Sequence, residues 1–213
     1  MNVLPAVVTF VGAVICAFGG LWAYQQQPGF KRNLAVITFV GAVISASGGF
    51  WAYQQQASSE LKLANLVIGG DSFCYLRIYN PDQVTNTGRL MVHHQGEYNL
   101  YDVYARIVDL EKLDKLKGNL SFDTLRQADT NISIGNLISS SAQVLHPFTL
   151  GNGDTRRFNI FFSARNGFFN QVLRFKKIQG KWVSATKVMR EEKVLYEKVD
   201  DEFPRTAEGN VEW

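Results

Sequence analysis

Residues 157–164 read RFNIFFSA, and their alternation decides the fold: Phe158, Ile160, Phe162 and Ala164 fall on one side of an extended chain, Arg157, Asn159 and Ser163 on the other. Period-two patterning of this kind is a strand with one face against a core. The next three residues, Arg165-Asn166-Gly167, supply the positive φ that a tight hairpin turn requires. A second aromatic-rich strand is predicted over 168–178, and Gln179-Gly180 repeats the turn before a third over 181–189. Upstream, Tyr101, Val103, Ala105 and Ile107 alternate with Asp102, Tyr104 and Arg106. Further strands are predicted at 73–79, 89–95, 101–109, 132–138, 143–149 and 193–199. Short strands in succession, with no long helix between them, predict an antiparallel β-sandwich over 65–213. Two helical interruptions are expected, one at 110–117, where Leu110, Leu113 and Leu116 recur at three-residue spacing, and a shorter one at 122–127.

The first 56 residues follow a different rule. Residues 6–27 (AVVTFVGAVICAFGGLWAYQQQ) return as 35–56 (AVITFVGAVISASGGFWAYQQQ), identical at 18 of 22 positions. Residues 1–56 contain no Asp or Glu, and their only basic residues are Lys31 and Arg32. Each copy holds an apolar run, 4–24 and 34–53, of about 20 residues, which as a helix is about 30 Å long and matches the hydrocarbon core of a bilayer. Each run ends in Trp-Ala-Tyr, with Trp22 and Tyr24 or Trp51 and Tyr53 suited to an interface. Two transmembrane helices joined by the polar loop 25–33 are therefore expected, with 57–64 as a linker to the β-rich domain. Lys31 and Arg32 place that loop in the cytoplasm and the domain outside it, against the competing charge of Lys62. A cleaved signal peptide is disfavoured because the opening MNVLP has no basic side chain, and a lipoprotein because Ile15 precedes Cys16. Gly12, Cys16 and Gly20, repeated as Gly41, Ser45 and Gly49, place small residues on one stripe, the pattern of a helix-packing face between the copies or between protomers. The near identity of the copies suggests duplication of a single anchor.

The charges of 57–213 nearly cancel, so the domain has no basic field of the kind nucleic-acid binding needs. Three phrases and the tail resemble a set of uncharacterised bacterial membrane-anchored proteins: Gly-Gly-Asp-Ser-Phe-Cys-Tyr (69–75), Gly-Glu-Tyr-Asn-Leu-Tyr-Asp-Val (96–103), Phe-Asn-Ile-Phe-Phe-Ser-Ala-Arg-Asn-Gly (158–167), and Phe-Pro-Arg (203–205) with Trp213. The resemblance covers most of 65–213. It implies N-terminal membrane helices before an immunoglobulin-like β-rich domain, in a bacterial setting, and no activity. The duplicated anchor departs from that pattern.

These phrases carry the candidate binding or structural residues Asp71, Ser72, Tyr98, Asp102, Arg165 and Asn166. Gly70-Asp71-Ser72 invites a hydrolase reading with Ser72 as nucleophile, but that chemistry needs a His base. None of His93, His94 and His146 has Asp three residues before it, so a turn in which Asp71 and Ser72 bond local backbone is preferred. His93 and His94 are adjacent, so on a strand they face opposite ways and cannot share a metal; ordinary strand histidines, one facing water, are expected. Cys74 has no partner cysteine in the domain and reads as a small buried side chain. Arg156, Arg157, Arg174, Lys176 and Lys177 form a basic cluster that suits anionic lipid or an acidic partner, although a solvated outer sheet face is the preferred reading. Tyr98, Tyr101, Tyr104, Phe161, Phe168 and Phe169 exceed what one inner face needs, so some are expected on a binding surface. No cofactor or metal set is expected, and no catalytic residue is assigned. The expected role is binding or scaffolding at the bacterial inner membrane, with the bilayer, an envelope protein or a second copy of the chain as partner.

Overall fold

The computed structural model describes residues 31–79, 81–116, 121 and 126–213. The chain divides into two compact units, Met1–Ala64 and Asn65–Trp213. Helix α1, Lys31–Ile68, is continuous over 38 residues. It corrects the expected loop 25–33, since Lys31, Arg32 and Asn33 are already helical, and it passes through 57–64 without a break. The reason is local. No Gly or Pro lies between Gly49 and Gly69, and Gln, Ala, Glu, Leu and Lys fill the interval with good helix formers. Ser58 and Ser59 turn their hydroxyls back onto the Gln55 carbonyl at 2.8 and 2.9 Å, and Gln56 donates to Glu60 at 3.0 Å. Among the described residues no helix is long and apolar enough to cross a membrane. The expected span at 4–24, with Gly12, Cys16 and Gly20, lies outside the described residues. A Cβ at Gly41 or Gly49 would meet nothing within 4 Å, so among the described residues neither glycine is packed against another backbone.

The second unit is mainly β, and its described residues form nine antiparallel strands: β1 Phe73–Tyr79, β2 Thr87–Gln95, β3 Leu100–Asp109, β4 Asp129–Leu137, β5 Ala142–Thr149, β6 Thr155–Ala164, β7 Gly167–Ile178, β8 Lys181–Arg190 and β9 Lys193–Val199. One sheet has the order β1-β2-β5, the other β4-β3-β6-β7-β8-β9. The chain crosses between sheets after β2, β4 and β5, then finishes as a four-strand meander. Each expected strand coincides with one of these to within three residues at either end.

Both sheets contribute to one core. Cys74, Leu76, Leu90 and Val92 of the small sheet share it with Val103, Ala105, Ile107, Phe158, Ile160, Phe162, Leu173 and Phe175 of the large one. Phe162 stacks on Phe169 at 4.9 Å, and Phe158 meets Phe148 and Phe175 edge-on. Two polar features interrupt this apolar interior. Gln171 of β7 has no exposed surface, and its amide pairs with both backbone groups of Leu76 on the free edge of β1, accepting from the N–H and donating to the carbonyl, each at 2.8 Å. It also donates to Thr186 Oγ1 at 2.6 Å. At one end of the core Arg156 and Asp109, both buried, form an ion pair. Asp109 also begins the short helix α2, Leu110–Lys115, accepting from Lys112 N–H at 3.1 Å.

Candidate functional site

Five of the six candidate residues gather with His94 and Arg190 where α1 runs into β1, and Tyr98 completes the group from the β2–β3 loop. The helix stops because Gly69 takes φ +104° while its N–H still bonds the Asn65 carbonyl at 2.8 Å. A side chain at Gly69 would press on the Asn99 carbonyl at 2.9 Å, and one at Gly70 would collide with the Tyr98 ring. Arg165 donates from Nη1 to the Val67 carbonyl at 3.3 Å, satisfying a helix-terminal acceptor. Its Nε and Nη2 reach Asp102 Oδ2 at 3.1 and 2.8 Å, and its guanidinium lies 4.9 Å from the centre of the Tyr101 ring. Asp102 sits at φ +55° in an irregular stretch of β3, with its N–H on Asn136 Oδ1 at 3.1 Å. Asp and Asn tolerate this left-handed backbone better than bulkier residues.

Asn166, at the hairpin between β6 and β7, donates to the carbonyls of Gly70 and Ser72 at 2.9 and 2.7 Å, and Arg190 Nη2 adds a third bond to Ser72 O at 3.0 Å. The hydroxyl of Ser72, 1% exposed, accepts from the Tyr98 N–H at 2.9 Å. The Tyr98 carbonyl accepts in turn from His94 Nε2 at 2.8 Å, and His94 Nδ1 accepts from Ser140 N–H at 3.2 Å. Both imidazole nitrogens are thereby spent on backbone, and neither bonds Ser72. Asp71 is exposed, with Arg190 at 3.9 Å. The six residues thus act chemically as a clasp: carbonyls and amides of three loops are satisfied by side chains that leave no nucleophile and base in contact.

His94 gives this clasp a pH dependence. Burial holds its pKa below the ordinary imidazole value, and the bond to the Tyr98 carbonyl only partly offsets that. A second proton would also turn Nδ1 into a donor facing the Ser140 N–H. With the folded pKa depressed, the unfolded chain takes up the proton first as pH falls through about 6.5, so stability is full above that value and declines below it. In a His93→Gln background, removing a second imidazole held low by burial and by Arg77 and Lys198, the urea midpoint should fall between pH 7.5 and 5. The slope is at most about 1.4 kcal/mol per pH unit. Adding His94→Gln should flatten it; an unchanged slope would exclude His94 as the source.

The basic cluster is divided by the pleat. Arg156 points into the core with Asp109. Arg157, on the other face, is held by Glu111 at 2.9 Å and Asp114 at 2.6 Å, both from α2. The expected solvated face holds for Lys176 and in part for Arg157 and is corrected for Arg156 and Arg174, which are buried; carboxylates from the β3–α2 segment neutralise Arg156 and Arg157. Lys177 lies 5.6 Å from the Trp182 ring centre. Phe169 is buried and Phe161, Tyr104 and Phe168 are exposed, Phe168 by 80%. His93 does not face open water; it stacks on Tyr75 at 5.1 Å, which stacks on Tyr196 of β9 at 4.6 Å. That enclosure pushes the Tyr75 hydroxyl up to about 12, with burial first and the Tyr196 hydrogen bond second. Cys74 is fully buried and its thiol is shifted upward by burial. Among the described residues no three His, Cys, Asp or Glu side chains converge as a metal set. Sequence reading missed Arg190, whose distant position on β8 gave no sign that it reaches Ser72.

No family model, no curated protein and no solved structure matches the chain.

Proposed function

We propose that the chain is a membrane-anchored protein of the bacterial envelope whose β domain is a binding or scaffolding module with no catalytic role. The observation that carries this reading is the surface of α1. Val40, Val43, Ile44, Phe50 and Trp51 are all exposed, and the helix gathers its apolar residues on no one face. Large apolar side chains exposed along one uncharged stretch of helix are stabilised by lipid or by burial in protein, and water does neither. The uncharged sequence run 34–53 has the length of a span, and the Trp and Tyr at its end suit an interface. The small-residue stripe of Gly41, Ser45 and Gly49 then serves association with a second helix in lipid.

Two further observations support the reading. The order β1-β2-β5 set against β4-β3-β6-β7, with crossings after β2, β4 and β5, is a Greek-key arrangement of the kind found in immunoglobulin-like sandwiches, with β8 and β9 extending the larger sheet. Such domains commonly bind through their surfaces. Ser72 is buried and its hydroxyl occupied, which removes the one candidate nucleophile from reach of a substrate.

The experiment is a topology measurement on the full chain in a bacterial membrane. A reporter active only outside the cytoplasm is fused after Trp213 and, separately, between Gln27 and Pro28. Activity of the first fusion alone, with the chain retained in the membrane after alkaline carbonate extraction, is the expected result. Release by carbonate would overturn the anchor, and a silent C-terminal fusion would overturn the extracytoplasmic placement.

A further inference from the structure

The outer face of the larger sheet carries a cavity of about 390 Å³ whose floor is basic. Arg157 on β6 and Arg174 on β7 are direct cross-strand partners there. Like charges opposite one another on neighbouring strands are destabilising, and of the two only Arg157 is ion-paired among the described residues. Arg157 has its carboxylates from α2. Arg174, 7% exposed, bonds neutral acceptors alone: the carbonyls of Phe158 and Leu173 at 2.9 and 3.2 Å and Asn159 Oδ1 at 3.3 Å. Its Nε is buried without a partner, and among the described residues no carboxylate pairs with it. Burial and then the neighbouring Arg157 work against its charge, and Glu111 offsets part of that. A buried cation left beside a second cation is the kind of local cost that folds carry at binding sites.

The rest of the cavity is built to hold something. Lys176 and Arg205 add two further cations to the lining. Trp213 forms an aromatic wall, with Lys187 ammonium 4.1 Å from its ring centre. The segment carrying that wall is fixed by Phe203, which packs with Val183 and Ala185 in a small second core. Among the described residues Glu212 is the single acidic one in the lining, and no ion pair joins it to Arg174. The volume lies within the range of small-molecule sites, about 300–1,000 Å³, and is too small for a protein element.

We propose that this cavity binds a small organic anion, its carboxylate or phosphate on Arg174 and Lys176 and its apolar body against Trp213. The site is independent of the membrane reading of α1. Isothermal titration of the full chain in non-ionic detergent tests it, with phenyl phosphate, phenylacetate and inorganic phosphate as probes. The wild-type chain should bind one or both organic anions with sub-millimolar Kd, and which of the two is tighter separates a phosphate from a carboxylate ligand. Arg174→Gln should weaken binding at least tenfold, and Glu212→Gln should tighten it several-fold by removing the competing carboxylate. Trp213→Ala should weaken the organic probes while leaving inorganic phosphate unchanged. Thermal unfolding monitors each variant. If Arg174→Gln does not fold, the opposite responses of the Glu212 and Trp213 variants decide the matter. Failure of both organic anions to bind the wild-type chain, or affinities indifferent to Glu212→Gln and Trp213→Ala, would overturn the proposal.

Discussion

Replacing Asp109 by Ala is expected to destabilise the β domain by about 3–5 kcal/mol, because it strands the Arg156 guanidinium in the core. Arg156 and Asp109 are both buried, and the Arg156 Nε already lacks a partner. Removing the carboxylate leaves a desolvated charge beside the Phe158 ring, 5.7 Å from its carbon. Asp109→Ala also deletes the N-cap of α2, worth about 1 kcal/mol. Asp109→Asn separates the two losses, since an amide oxygen still caps the helix. The informative control is the double variant Asp109→Leu/Arg156→Met. Replacing both partners by apolar groups should recover most of the loss, because the pair is costly to break and adds little over a packed apolar pair. Equilibrium urea unfolding measures all four chains. A double variant no more stable than Asp109→Ala would show that the loss lies elsewhere than in the stranded charge.

The second large effect is expected at Gln171. Gln171→Leu fills nearly the same volume but orphans the Leu76 N–H, the Leu76 carbonyl and the Thr186 hydroxyl, at about 1–3 kcal/mol for each buried group less what Leu gains by burial, so a net loss of about 3–5 kcal/mol is expected. Hydrogen exchange gives a local readout. The Leu76 amide should be among the protected amides of the wild-type chain and should lose that protection in the variant beyond what the global change in stability explains. Gln171→Glu offers a further test of the geometry. An ionised carboxylate accepts from the Leu76 N–H but cannot donate to the carbonyl, whereas the protonated acid can. Burial raises the pKa of such a group, so this variant alone should gain stability relative to wild type as pH falls. Wild-type-like exchange at Leu76 in Gln171→Leu would remove the amide from its assigned role.

Both features were legible in the alternation that located the strands, and neither was read from it. Asp109 shares parity with Val103, Ala105 and Ile107, and Arg156 shares parity with Phe158, Ile160 and Phe162. The pattern that points those apolar side chains inward points an acid and a base inward as well. Gln171 likewise lies on the inward parity of Phe169, Leu173 and Phe175. A polar residue on the buried parity of a strand is a prediction of a buried partner, and it says nothing of which strand supplies that partner. The pairing of Gln171 with Leu76 joins residues 95 apart and depends on how the sheets come together. The clasp divides the same way. Asn166 and Gly167 marked a turn, and Gly69-Gly70 marked a change of chain direction, because the backbone demands of each are local. That Asn166, Ser72, Tyr98 and Arg190 would meet is a property of three loops and a strand converging, for which adjacent residues hold no signal. The helix boundary failed for a different reason. Gln54–Gln56 and the serines after it looked like a polar linker, but polarity does not stop a helix, and Gly69 is the first residue that does.

Growth of a cross-β filament needs an unbroken row of peptide donors and acceptors along an exposed strand. The smaller sheet offers no such row on either side. β5 carries Pro147, which has no N–H, and β1 has its central Leu76 pair occupied by Gln171. Copies of this domain crowded side by side therefore lack a template for polymerising through that sheet, a condition for any protein displayed densely on a surface.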